Sequence, residues 1–232
     1  MATSDPLAPF QWLIDHNGND RWPGEIFTVA FFRGLDPSEV VCRFSRGEDH
    51  GQESGFDGLI KQASEFSFKT DGGSEGDTVG VLQAGEWSVA IEPFGWMATL
   101  PDVLAELSRD CEVLAITRHA YAEDSFAYAI DGTLVTGYKP LECPHIRYGS
   151  EPDRLNGFMR ELGMTLDMRD DAHDWDDGDD GDDGDDYFAA LPRAFALAAK
   201  LTQVRFIPEM LDRAMLIGPV AYRWSAGSRS DK

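Results

Sequence analysis

Twelve of the twenty residues from Asp167 to Asp186 are aspartates, and Arg169 is the only Lys or Arg among them. Within the run, Asp176-Asp177-Gly178 recurs as Asp179-Asp180-Gly181 and Asp182-Asp183-Gly184 before Asp185-Asp186 closes it. Such a segment repels itself, and Asp and Gly are poor formers of helix and strand alike. It is expected to be a disordered, extended linker at 167–186. That leaves two stretches to build a core: a body at 1–166, and a C-terminal segment at 187–232 expected to be helical and docked on the body. The segment is amphipathic and too small to stand alone, so one interrupted domain is expected.

The charge reaches beyond the tract. The 232 residues hold 42 Asp plus Glu against 20 Lys plus Arg, a net of −22. A field of that sign repels phosphate backbones and anionic lipid, which argues against direct nucleic-acid binding and membrane docking. Cys42, Cys111 and Cys143 are odd in number and form no C-x-x-C pair, a poor fit to a disulfide framework or a zinc knuckle. The first residues, Met1-Ala2-Thr3-Ser4-Asp5-Pro6, lack the basic and apolar regions of a signal peptide. A soluble cytoplasmic protein is expected.

Local patterns predict the elements of the body. Ile26 to Phe32 is aromatic and β-branched and reads as a buried strand. Asp36-Pro37-Ser38-Glu39 places a capping Asp before a first-turn Pro, so a helix through Val40, Val41 and Phe44 is expected. Residues 45–55 read as a loop, 58–66 as a short helix, and 71–77 as a Gly-rich turn. Val79–Leu82 and Trp87–Glu92 read as a hairpin. Thr99-Leu100-Pro101-Asp102 predicts a second capped helix through Val103, Leu104 and Leu107. Strands are expected at Val113–Arg118 and Phe126–Ile130, with Asp131-Gly132 turning the latter into Leu134–Tyr138. Ser150-Glu151-Pro152-Asp153 predicts a capped helix whose Leu155, Phe158, Met159 and Leu162 share one face. Past the tract, Phe188, Leu191, Phe195, Ala198 and Thr202 keep helical spacing, with Pro192 expected in the first turn. Pro208-Glu209-Met210-Leu211 opens a further short helix, and 216–222 offers at most an edge strand. Hairpins outnumber crossovers, so the fold class is α+β, a mostly antiparallel sheet with a few amphipathic helices.

Several of these stretches resemble a known family. Leu35-Asp36-Pro37-Ser38-Glu39-Val40-Val41, Val79-Gly80-Val81 and Trp87 to Trp96 are similar to an uncharacterised family from Streptomyces and related actinobacteria. Ala196-Leu197-Ala198, Leu201 to Arg205, Pro208-Glu209 and Gly218-Pro219-Val220 resemble that family's C-terminal end. The resemblance implies one domain in a bacterial cytoplasm and transfers no catalytic residue. The Asp/Gly tract looks like an insertion.

Motifs for catalysis are scarce. The chain lacks a P-loop, a dinucleotide fingerprint, a nucleophile elbow, a zinc-protease helix and an EF-hand loop, so no cofactor and no metal are expected. Gly72-Gly73-Ser74-Glu75-Gly76 has no basic residue for a phosphate and reads as a turn. His119 follows a strand, with Glu123 and Asp124 just beyond, and a carboxylate beside an imidazole is the arrangement of a general base. The plainer reading is an exposed loop histidine among paired neighbours. Cys143-Pro144-His145 invites a thiolate–imidazole pair, but nothing in its spacing aims the two side chains at each other. Trp87, Phe94, Trp96 and Met97 offer a candidate ligand pocket, more simply read as core packing.

The leading expectation is a non-enzymatic acidic binding module, an immunity-type inhibitor or adaptor for a basic protein. Asp176, Asp177, Asp179, Asp180, Asp182, Asp183, Asp185 and Asp186 are its candidate partner-binding residues. The alternative is a small-molecule binder or enzyme built around His119, Glu123, Asp124, Trp87 and Trp96.

Overall fold

Strand β1 (Ile26–Arg33) is buried at every position from Phe27 to Phe32, so neither of its faces meets water. In the computed structural model, which describes residues 5–14, 23–70, 77–120, 123–142, 146–166 and 183–221, it lies at the centre of one sheet. The chain continues through α1 (Pro37–Phe44), β2 (Gln52–Ser54), α2 (Phe56–Lys69), β3 (Asp77–Ala84), β4 (Trp87–Pro93), α3 (Pro101–Leu107) and β5 (Glu112–His119). There follow β6 (Ser125–Ile130), β7 (Thr133–Tyr138), β8 (Arg147–Tyr148), α4 (Asn156–Glu161), α5 (Asp183–Thr202) and β9 (Met215–Val220). The nine strands pair in the order β2-β9-β3-β4-β1-β5-β6-β7-β8, and every pairing is antiparallel. The α+β expectation holds.

An antiparallel sheet commonly leaves one face to solvent. Here both are covered. Val29, Phe31, Ile91, Leu114 and Ile116 pack on one side with Leu59 of α2, Met159 of α4 and Leu191 and Phe195 of α5. Ala30, Phe32, Val81, Ala90 and Ala115 pack on the other with Val40 and Phe44 of α1 and Leu104 and Leu107 of α3. The second face is richer in alanine and valine, the first in larger side chains. On the α2 side the approach is close. A Cβ on Gly80 would meet Leu59 Cδ2 at 2.6 Å and Met215 Sδ at 2.7 Å.

Where sequence signals are local, the elements stand as expected. Asp36 caps α1 by accepting from the Glu39 N–H at 2.9 Å, with Pro37 in the first turn. Asp131 and Gly132 both take positive φ, 47° and 74°, as a two-residue hairpin turn requires. The hairpin of β3 and β4 also stands.

Elsewhere the structure differs. The stretch expected as a loop contains β2, and α2 runs beyond 58–66 at both ends. Thr99 does not cap α3; Leu100 occupies that position without a side-chain bond, because the Thr99 hydroxyl donates to Trp96 O. Helix α4 starts only at Asn156, since Asp153 instead accepts from Arg147 and Asn156, and Phe158 faces outward. Helix α5 starts at Asp183, inside the stretch expected as linker, which moves Pro192 from the first turn into the helix interior. The bond Pro192 removes would have gone to the carbonyl of Phe188, a residue 59% exposed. Residues 187–221 supply a strand as well as a helix, and that strand, β9, lies between β2 and β3 rather than at the edge. Pro219 is tolerated there because it falls past the last residue that β2 pairs, Ile217. The expected turn at 71–77 lies, apart from Asp77, outside the described residues, as does the acidic tract from 167 to 182.

Candidate functional site

One end of the sheet gathers the polar side chains that the core would otherwise exclude. Registers set Glu92 of β4 opposite Thr28 of β1, and Thr28 opposite Thr117 of β5, so the three share a row on the α1/α3 face. The chain from Phe94 to Thr99 folds over this row. Thr28 donates its hydroxyl to Gly95 O at 2.9 Å and meets the Thr117 hydroxyl at 2.6 Å. Thr117 in turn meets the Thr99 hydroxyl at 2.8 Å. With the Thr99 hydroxyl also reaching Trp96 O, three hydroxyl protons are shared among four contacts, so one is unmade at any moment and the direction of donation along the row can change.

Glu92, 1% exposed, spans the turn: its Oε1 accepts from Ala98 N at 3.0 Å and its Oε2 from Met97 N at 3.1 Å. Beside it stands Asp77, also buried, whose Oδ1 accepts from Thr78 N. Gly95 separates them. A Cβ built on Gly95 would collide with Asp77 Oδ2 and approach Glu92 Oε2 to 3.2 Å, so only glycine fits between the two carboxyls. Burial pushes Glu92 up to about 8, with the neighbouring Asp77 charge adding to it and the two backbone N–H groups opposing. Burial likewise pushes Asp77 up to about 7. Among the described residues no Lys or Arg reaches either carboxyl to shift it.

His119 and Asp124 are brought together beside this row. The His119 N–H donates to Asp124 Oδ1 at 2.8 Å, and its ring packs on Trp96 with centroids 5.4 Å apart. His119 is half-buried, not an exposed loop residue, and its Nδ1 is buried without a hydrogen-bond partner. Asp124 is 1% exposed; its Oδ2 lies 3.8 Å from Arg118 Nη1 and accepts no hydrogen bond. Burial raises the Asp124 carboxyl, while the His119 N–H and the Arg118 and His119 charges pull it back.

Two of the residues grouped with them do not belong. Glu123 is exposed and ion-paired with Lys139. Trp87 starts β4, which carries the chain roughly 20 Å before the turn that holds Trp96 begins. It packs instead in the α5-side core, under the Arg33 guanidinium. Phe94 lines a separate shallow cleft of about 350 Å³ with Phe56 and Ile60, and Met97 is buried.

Of the acidic candidates, Asp176, Asp177, Asp179, Asp180 and Asp182 lie outside the described residues; Asp183, Asp185 and Asp186 fall in the first turn of α5. Cys143, His145 and Gly72 to Gly76 also lie outside. Cys42 and Cys111 are free thiols, and burial raises Cys111 despite Arg43 Nη1 at 3.3 Å, so it stays protonated. Among the described residues no group of three or more His, Cys, Asp and Glu side chains is placed to hold a metal ion. No helix among them is long and apolar enough to cross a membrane.

The Asp77–Glu92 pair escaped the sequence reading, although one signal was present. In Trp87-Ser88-Val89-Ala90-Ile91-Glu92, the glutamate falls in phase with Ser88 and Ala90, an alternation that normally marks a solvent face. Only the second helical layer shows that this face is covered.

No curated protein and no solved structure matches the chain. A family does, and its match runs over residues 4–222, through the sheet, both helical layers and the strand-end cluster. The chain belongs to DUF6461, a family of unknown function.

Proposed function

We propose that the protein is a non-enzymatic acidic binding module that engages a basic protein partner, as an inhibitor or adaptor. One observation carries the reading. Among the described residues, Lys and Arg side chains repeatedly lie within 4.0 Å of an Asp or Glu of the same chain, from Arg33–Glu112 to Lys200–Glu161. Such pairs contribute little to stability, but they neutralise much of the positive charge the chain owns. Pairing consumes both signs equally and leaves the net −22 unchanged, and half of that charge belongs to 167–186. Opposite charge speeds encounter and rejects acidic competitors. A cytoplasmic, actinobacterial setting goes with this reading, supported by three cysteines without a C-x-x-C pair and by the resemblance described above.

The test is kinetic. Baits of the full chain are used at low and high salt to isolate a basic partner, and association is then followed by stopped flow. Changing the aspartates from Asp176 to Asp186 to asparagine is expected to slow association and flatten its salt dependence, leaving dissociation nearly fixed. An unchanged association rate removes the tract from the interface. A partner retained equally at high salt overturns the electrostatic reading altogether.

His119 Nδ1, on a ring that packs against Trp96, and Asp124 Oδ2 are both buried without a hydrogen-bond partner, which favours a second reading, a small-molecule site. It predicts a ligand-induced thermal shift that His119→Ala abolishes.

A further inference from the structure

The cover over the strand end is held by bonds that depend on a carboxyl pair. Glu92 alone satisfies the N–H groups of Met97 and Ala98, and Gly95 is wedged between Glu92 and Asp77. At the start of this segment Phe94 takes φ 62°, a left-handed conformation that an aromatic residue adopts at a cost. Its N–H is held to Ile26 O at 2.9 Å.

We propose that the segment Phe94–Thr99 is a pH-responsive latch, closed while Asp77 and Glu92 carry at most one negative charge between them and released when both ionise. Two carboxylates facing one glycine in a water-poor pocket repel far more strongly than they would at the surface. The repulsion is relieved by admitting water, and water enters where Gly95 leaves. Release also relaxes Phe94 and draws Trp96 off the His119 ring, which opens the Thr28–Thr117 row to solvent.

Nothing opposite damps the repulsion among the described residues. Facing the pair are Thr28 from β1, Thr117 from β5 and, from β9, Pro219 and Val220, which are all neutral. Past this row stand His119 of β5, whose ring packs on Trp96, and Asp124 of β6, bonded to the His119 N–H. Burial sets both carboxyls to titrate between about 7 and about 8, a range that cells visit. The device requires no ligand and is independent of the partner proposed above.

Amide hydrogen exchange on the full chain, resolved by NMR, tests the latch. Protection factors at Met97 and Ala98 are expected to fall at least tenfold between pH 6 and pH 9, while those at Ala30 and Ala115 stay level. In Asp77→Asn a single carboxylate keeps both N–H bonds, so protection is expected to stay flat over the same range. Equal loss in Asp77→Asn, or no loss in the wild type, overturns the proposal. Should that variant fail to fold, carboxyl-carbon titration of the wild type decides: both groups ionising below pH 5 refutes the latch, and linked ionisation above pH 6 supports it.

Discussion

Glu92 and Glu112 occupy opposite ends of the same sheet and opposite faces of it, and they meet burial in different ways. Glu112 lies at the rim with its side chain 20% exposed. Its Oε1 accepts from the Tyr128 hydroxyl at 2.6 Å and its Oε2 from Arg33 Nη1 at 3.0 Å. The Arg33 guanidinium in turn sits 5.9 Å from the centre of the Trp87 ring. Glu92 has two backbone N–H groups, no cation and a second carboxyl as its neighbour. A carboxyl with a guanidinium and an open side has partners for its charge. One with neither becomes a proton store. The difference lies in which donors the fold supplies, since the residue type is the same.

The largest separation between the two is expected on truncation. Glu92→Ala at pH 5 strands two buried N–H groups and leaves a cavity under the turn, at a cost of about 3 kcal/mol. Glu112→Ala exposes the Tyr128 hydroxyl to nearby water and costs about 1 kcal/mol. Urea denaturation of the two variants measures both. Equal losses would mean that the Glu92 contacts are dispensable and that the contrast between the ends is one of burial alone.

The pH dependence comes next. Asp77 and Glu92 ordinarily ionise near 3.8 and 4.5, and in the fold near 7 and 8. Over that interval the folded chain holds protons that the unfolded chain has released, so stability falls as pH rises. The pair's contribution is full below about pH 4 and is lost by pH 8. Asp77→Asn combined with Glu92→Gln is expected to remove the slope, so the wild-type-minus-variant difference should decline steadily from pH 5 to pH 9. Glu112→Gln serves as the matched control and should leave the slope in place. A stability that rises with pH in the difference curve would reverse the assignment of these two groups.

The same contrast explains what could be read without a structure. Strand β1, the Asp36 cap and the Asp131-Gly132 turn are written within a few residues each, because their physics is local: side-chain shape, one hydrogen bond, two positive φ angles. The His119–Asp124 contact was legible for the same reason, the two lying five residues apart. Asp77 and Glu92 meet only because β3 and β4 pair while the turn after β4 folds back over them. Nor does any local signal say that Met215 to Val220, with Pro219 inside it, enters the sheet between β2 and β3. That place exists only once the body has formed around it. Trp87 and Trp96 looked like neighbours because the sequence shows their separation in residues but hides that an extended strand carries them apart.

The smallest effect sharpens the comparison from the Glu112 side. Tyr128→Phe keeps the ring, which packs in the α5-side core, and deletes only the hydroxyl that Glu112 accepts. Burial, and then the bond to Glu112, push the Tyr128 phenol well above its usual ionisation range, so at neutral pH it acts purely as a donor. Losing one neutral donor from a carboxylate that retains its guanidinium should cost about 0.5–1 kcal/mol, because water at the rim takes the vacated position. The expected change is a small drop in the urea midpoint with an unaltered denaturant slope. A loss above about 2 kcal/mol would show that Glu112 depends on the phenol as heavily as Glu92 depends on Met97 and Ala98. In that event the rim would offer no substitute donor, and the two ends of the sheet would solve the burial of a carboxyl in the same way.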